Sequence, residues 1–161
     1  MLLIGVLGYA QAMIAATRSQ ALTHEQSLAT DAARQVIEEM HALAFGNVFR
    51  QYNSTGADDL AGGPAPGSGF AIDGLDAAPG DLDGLPGEVL FPTVAGAPGA
   101  LREDLVDSEF GTPRDLDGDL ATDASDHSGD YQLLPVVVRV RWRNRTGSAE
   151  VRLRTILADL P

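Results

Sequence analysis

The chain has 161 residues, a net charge of −12, no cysteine and eleven basic residues, all of them arginine. That length suits one domain with an extension. The absence of thiols excludes a disulfide framework and a thiolate metal site, and the acidic balance opposes non-specific nucleic-acid binding by the whole chain.

In chain order, the first element is a helix that runs to Phe45. Met1 to Ala16 (MLLIGVLGYAQAMIAA) carries no charge, and its only glycines are Gly5 and Gly8. From Thr17 onward, Leu22, Ala29, Val36 and Leu43 recur every seven residues, joined by Ala33 and Met40. This is one stripe of an amphipathic helix, with Arg18, Glu25, Asp31, Arg34, Glu38 and Glu39 mainly off it. Gly46-Asn47 reads as the stop signal. A rod of this length is roughly 65 Å long, more than one small core can bury. Its apolar end therefore needs another partner.

Three readings of that end compete. A cleaved signal peptide fits the length of the apolar run and Ala10-Gln11-Ala12, but no basic segment precedes it. A membrane span needs about twenty apolar residues, more than the run supplies. The third reading takes the run as the remainder of a longer apolar helix. It suits the chain best, because the helical pattern continues past any cleavage point.

Residues 56–100 hold eleven glycines and six prolines, which excludes regular helix. Phe70, Ile72, Leu75, Val89, Leu90, Phe91 and Val94 are apolar anchors at intervals that disordered linkers rarely carry. An ordered, loop-rich layer packed on the helix or sheet is expected. Glu88 to Val94 reads as a short strand, held to an edge by Pro92.

From Asp58 to Asp130 there are seventeen acidic residues against two arginines, whereas Arg139 to Arg154 holds six arginines and one acid, Glu150. Mutual screening within one fold is the simpler account of this asymmetry, and contact between neighbouring subunits is the alternative. Within the acidic part, Asp115-Leu116-Asp117-Gly118-Asp119-Leu120-Ala121-Thr122-Asp123-Ala124-Ser125-Asp126 places carboxylates at relative positions 1, 3, 5, 9 and 12. Calcium takes six to eight oxygens from a flexible loop. Asp115, Asp117, Asp119, Asp123, Asp126 and the Ala121 carbonyl could supply them. The loop resembles the calcium loop of dockerin modules, which opens with the same Asp-x-Asn/Asp-Gly-Asp pattern. It departs from the EF-hand by carrying Leu120 where glycine makes the sharp turn, and by closing on Asp126 instead of a glutamate. An acidic surface loop rich in turn residues is the plain alternative.

The C-terminus gives the clearest strand signal. Val136, Val138, Val140 and Trp142 alternate with Val137, Arg139, Arg141 and Arg143. After Asn144-Arg145-Thr146-Gly147, Val151, Leu153, Thr155 and Leu157 alternate with Glu150, Arg152, Arg154 and Ile156. Two such runs across a glycine-containing connection predict an antiparallel hairpin. Its apolar face would cover the amphipathic helix and its other face carries arginine. No stacking aromatics interleave with those arginines, so nucleic-acid binding is not expected.

No catalytic constellation is visible, and the chain reads as a non-enzyme. His24 and His41 fall on the polar face of the helix, and His127 reads as a solvent-facing neighbour of the acidic loop. No glycine-rich phosphate loop separates a strand from a helix.

The expected fold is therefore α+β. It comprises a hydrophobic part of the helix (1–20) and a head (21–161) made of amphipathic helix (21–50), loop-rich acidic region (51–131) and hairpin (132–161). This order resembles the type IV pilin and type II secretion pseudopilin family, in particular its minor members. Leu2-Leu3-Ile4-Gly5-Val6-Leu7-Gly8-Tyr9-Ala10-Gln11 looks like the second half of the family's apolar helix. Leu134-Pro135-Val136 to Trp142 with Val151 to Leu157 looks like the end of its sheet. The resemblance covers both ends of the chain. It implies a structural subunit of a bacterial envelope filament, anchored in the inner membrane before assembly and packed afterwards against other pilin or pseudopilin subunits through the helix. It also implies a head that is periplasmic or extracellular, and it agrees with a calcium-ordered loop near the C-terminal sheet. The family's basic leader, its Gly-Phe-Thr-Leu junction and the following glutamate are not in this sequence, so the chain is expected to begin late in the helix or to escape leader processing. A secreted or surface calcium-binding adhesion module with a cleaved N-terminal signal is the alternative.

Overall fold

A computed structural model describes residues 2–59, 66–145 and 147–159, and within the first helix the side chains of Met13, Ala16, Thr17 and every residue from Ser19 onward. The protein is α+β, with one long helix and antiparallel sheets. Helix α1 spans Leu2–Ala42 and α2 spans Phe45–Tyr52. The strands are β1 (Gly69–Phe70), β2 (Gly87–Leu90), β3 (Thr93–Val94), β4 (Ala97–Leu101), β5 (Leu133–Asn144) and β6 (Gly147–Ala158). They form a four-stranded sheet in the order β1-β2-β5-β6 and a separate β3-β4 ribbon. Every pairing is antiparallel.

The C-terminal alternation forms the hairpin it predicts. β5 and β6 pair from Leu133↔Ala158 out to Asn144↔Gly147. Leu134, Val136, Val138, Val140 and Trp142 of β5 are buried in the core, and Val151, Leu153 and Leu157 of β6 join them there. Because strand side chains alternate between faces, this register directs every arginine of the pair to the opposite face. That face carries ion pairs from Arg139 to Glu88, from Arg141 to Asp81 (3.5 Å), and from Arg152 to Glu109 and Glu150. The acidic middle thus screens the basic hairpin within one chain. Exposed pairs of this kind contribute at most about 1 kcal/mol each.

Helix α1 lays Ala29, Ala33, Val36 and Met40 into the same core. Their spacing of four, three and four residues keeps them on one face, and the two alanines permit close approach of the helix to the sheet. Leu28, Ile37 and Leu43 pack at the margins, and Trp142 Nε1 donates to Glu25 Oε2 (3.1 Å). Leu22, expected on the buried stripe, is 46% exposed, because the sheet does not extend far enough to cover it.

The helix also ends earlier than the sequence suggests. Ala44 is extended (φ −62°, ψ 125°), and Gly46 and Asn47 lie inside α2 instead of terminating a rod. The break at Leu43–Ala44 redirects the chain so that Val48, Phe49 and Tyr52 are buried. Phe49 meets Phe91 edge-on at 5.1 Å, and Phe45 meets Tyr131 at 4.9 Å. The Tyr131 hydroxyl donates to the Phe45 carbonyl (2.7 Å). Burial of this aromatic cluster outweighs continuation of one helix.

In the middle region, Phe70, Ile72, Leu75, Val89 and Phe91 anchor the loops to the core as expected, whereas Leu90 and Val94 are only half-buried and do not join it. The strand expected at Glu88–Val94 is divided. β2 is an interior strand between β1 and β5, and Val94 belongs to β3. Pro92 follows β2, so its missing N–H costs the ladder nothing and imposes no edge position. Among the described residues, no helix is long and apolar enough to cross a membrane. Most of the uncharged Met1–Ala16 side chains lie outside the description, as do Gly62, Gly63 and Thr146.

Candidate metal centre

The acidic loop is pinned where β4 ends and β5 begins. Leu116 is fully buried, and its carbonyl accepts the N–H groups of Gln132 (2.7 Å) and Leu133 (2.9 Å). At the other end, His127 N–H donates to the Leu101 carbonyl (3.0 Å), and Leu101 N–H donates to Asp126 Oδ1 (3.1 Å). A segment with few apolar side chains is thereby anchored at both ends, to β5 and to β4.

Its first half winds on its own carboxylates. Asp115 accepts the N–H groups of Gly118 (2.6 Å) and Leu120 (2.8 Å), Asp117 accepts Asp119 N–H (3.0 Å), and Asp119 accepts Ala121 N–H (2.7 Å). These are side chain-to-backbone turns of the kind aspartate favours. They draw carboxylate oxygens of Asp115, Asp117 and Asp119 within 4.8 Å of one another. Leu120, in the sixth position, has φ +72° and is 94% exposed. It therefore adopts the left-handed backbone that glycine usually supplies at this position of a calcium loop, at a cost of about 1–2 kcal/mol.

The second half follows a different course. Asp123 accepts Ser125 N–H (2.6 Å) and Asp126 accepts Ser128 N–H (2.9 Å). Neither joins the Asp115–Asp117–Asp119 group. Of the six residues expected to share one ion, three carboxylates thus converge, while Asp126 ties the loop to β4 and Asp123 faces His127.

Two residues of the centre escaped sequence reasoning. Glu103 lies just past β4 and its side chain is 1% exposed. Its Oε1 accepts the N–H groups of Leu116 and Asp117, and its Oε2 accepts that of Asp123 (3.3 Å). A single carboxylate thus organises both halves of the loop. His127 is not solvent-facing. It is 5% exposed, because its backbone is drawn against Leu101. Its Nε2 lies 3.3 Å from Asp123 Oδ1 and 3.6 Å from Glu103 Oε2, and its Nδ1 lies 3.5 Å from Asp117 Oδ2 and 3.4 Å from Asp130 Oδ1. Glu103, Asp117 and His127 also offer ligand atoms within 4.8 Å of one another.

Electrostatics follows from this crowding. Burial opposes charging of the His127 imidazole, but Glu103, the contact with Asp123, and the charges of Asp130 and Asp117 outweigh it and raise its pKa. The Asp119 N–H favours the Asp117 carboxylate, yet burial and the charges of Asp119 and Glu103 prevail and raise its pKa. Burial likewise disfavours the Asp115 carboxylate, but the N–H groups of Gly118 and Leu120, with further hydrogen bonds from Asp117 and Asp119, lower its pKa. A cation beside Asp117 would relieve the repulsion among these carboxylates. No protein-family model, curated protein or solved structure matches this chain.

Proposed function

We propose that the protein is a non-enzymatic structural subunit of a type IV pilus or type II secretion pseudopilus, of minor-subunit type. In this reading it is held in the bacterial envelope by its N-terminal helix, with the head periplasmic or extracellular. The observation that carries the proposal is the division of α1. Over its 41 residues, the part from Leu28 to Met40 packs on the sheet, whereas every described side chain from Met13 to Ser19 and from Gln20 to His24 is exposed. An isolated helical segment gains little stability in water without a packed face. The uncharged sequence of Met1–Ala16 can obtain one from lipid before assembly and from neighbouring helices in a filament core. Intact-mass measurement of the mature protein tests this against the secreted-module alternative. Retention of the residues before Ala16 is expected, and a mature chain lacking them would overturn the proposal. An in-frame Gly-Phe-Thr-Leu-x-x-Glu upstream of Met1 would strengthen the family assignment.

In the same reading, the Asp115–Asp119 turn holds calcium and orders the head loop. Support comes from the three converging carboxylates and from the left-handed backbone at Leu120. Thermal unfolding with calcium and with chelator tests it. Calcium at 100 times its dissociation constant should add about 2.7 kcal/mol, and Asp119→Ala should remove that gain. An identical melting midpoint in both conditions would exclude the ion.

A further inference from the structure

His127 has a feature that a calcium loop does not use. Its Nδ1 is buried and makes no hydrogen bond, although carboxylate oxygens of Asp117 and Asp130 lie 3.5 and 3.4 Å away. In the neutral ring with Nε2–H donating to Asp123 Oδ1, the lone pair is on Nδ1, among those oxygens, and a metal ion there would replace the proton that the carboxylates otherwise favour. A carboxylate on the distal nitrogen is the arrangement that fixes the tautomer of a metal-ligating histidine.

The spacing has a chemical reading. Two ligands about 2.1 Å from one ion at a tetrahedral angle stand about 3.4 Å apart. The separation of Nδ1 from Asp117 Oδ2 is 3.5 Å. One carboxylate oxygen of Glu103, one of Asp117 and one ring nitrogen of His127 lie within 4.8 Å of one another, and Glu103 Oε2 stands 3.6 Å from Nε2. Calcium prefers all-oxygen ligation, while a buried imidazole beside two carboxylates suits zinc and related divalent transition metals. We propose that His127, Asp117 and Glu103 form a transition-metal site of the zinc class, separate from the calcium turn and joined to it through Asp117. Asp117 directs Oδ1 to the turn and Oδ2 to His127, so one carboxylate serves both.

The test uses the full chain after chelator treatment. Equilibrium dialysis should show about one tightly held Zn2+ per chain, bound at least tenfold more weakly by His127→Gln and 10–100-fold more weakly by Asp123→Asn. Asp119→Asn should retain Zn2+ while losing calcium, which separates this proposal from the calcium reading. Because His127→Gln could unfold the loop, the wild-type protein is also titrated with Zn2+ while its side-chain imidazole nitrogens are followed by NMR. Only His24, His41 and His127 contribute, and the first two are exposed. A stoichiometric shift confined to His127 Nδ1 supports the site. Absence of Zn2+ uptake, equal uptake by folded His127→Gln, or an unmoved His127 signal would overturn it.

Discussion

The two halves of α1 share one backbone conformation and differ in nearly everything that stabilises it. From Leu28 to Leu43 the helix presents Ala29, Ala33, Val36 and Met40 to a sheet whose facing strand supplies four valines or leucines and a tryptophan. From Met13 to His24 the described side chains are exposed, including Met13 (54%) and Leu22 (46%). Secondary structure alone therefore does not reveal a helix's role. Tertiary burial accounts for the C-terminal half, and in the proposed function the N-terminal half takes its packed surface from outside the chain.

Substitutions should separate the halves. Val36→Glu, which places an unpaired carboxylate against β5, should cost the head about 3–4 kcal/mol by chemical denaturation, whereas Leu22→Glu should change head stability by less than about 0.5 kcal/mol while abolishing association with partner subunits. Equal destabilisation by both would erase the distinction. A smaller effect is expected at the boundary. Glu25→Ala strands the Trp142 indole N–H and should cost about 1–2 kcal/mol, and a shift in tryptophan emission would accompany it. Smallest, and opposite in sign, is Leu120→Gly, which relieves a left-handed backbone on a side chain with no packing to lose. It should raise stability by about 1 kcal/mol and leave both halves of α1 unaffected.

Legibility in the sequence followed the strength of local pattern. The β5–β6 hairpin is readable because apolar residues recur at every second position from Leu134 to Trp142 and again at Val151, Leu153 and Leu157, across a glycine-containing connection. The helix stripe was readable from Ala29 to Met40, but its limits were not. Leu22 has the right spacing and no sheet above it, and Gly46 and Asn47 are local stop signals overridden by burial of Phe49 and Tyr52. Pro92 within the apolar run Glu88–Val94 points to an edge strand, whereas β2 ends at Leu90, before the proline. In the metal centre, the Asp115–Asp117–Asp119 turn is local and was visible. Glu103 was one carboxylate among seventeen between Asp58 and Asp130, and its role arises only when β4 brings it under the loop. Acidic neighbours on both sides make His127 read as solvent-facing in the sequence. The backbone bond to Leu101 that buries it spans 26 residues and has no local signature. The single clue was a histidine embedded in an otherwise acidic loop.

Packing of the first half of α1 on other subunits can be read most directly by cysteine crosslinking, since the chain has no native cysteine to compete. Leu22→Cys and, as a head control, Val106→Cys would be oxidised in intact envelopes of the native host. Disulfide-linked dimers are expected between two copies carrying Leu22→Cys, or between Leu22→Cys and a cysteine introduced at the matching position of another pilin-type helix, and none at Val106→Cys. A Leu22→Cys protein that stays monomeric like the control would contradict that packing.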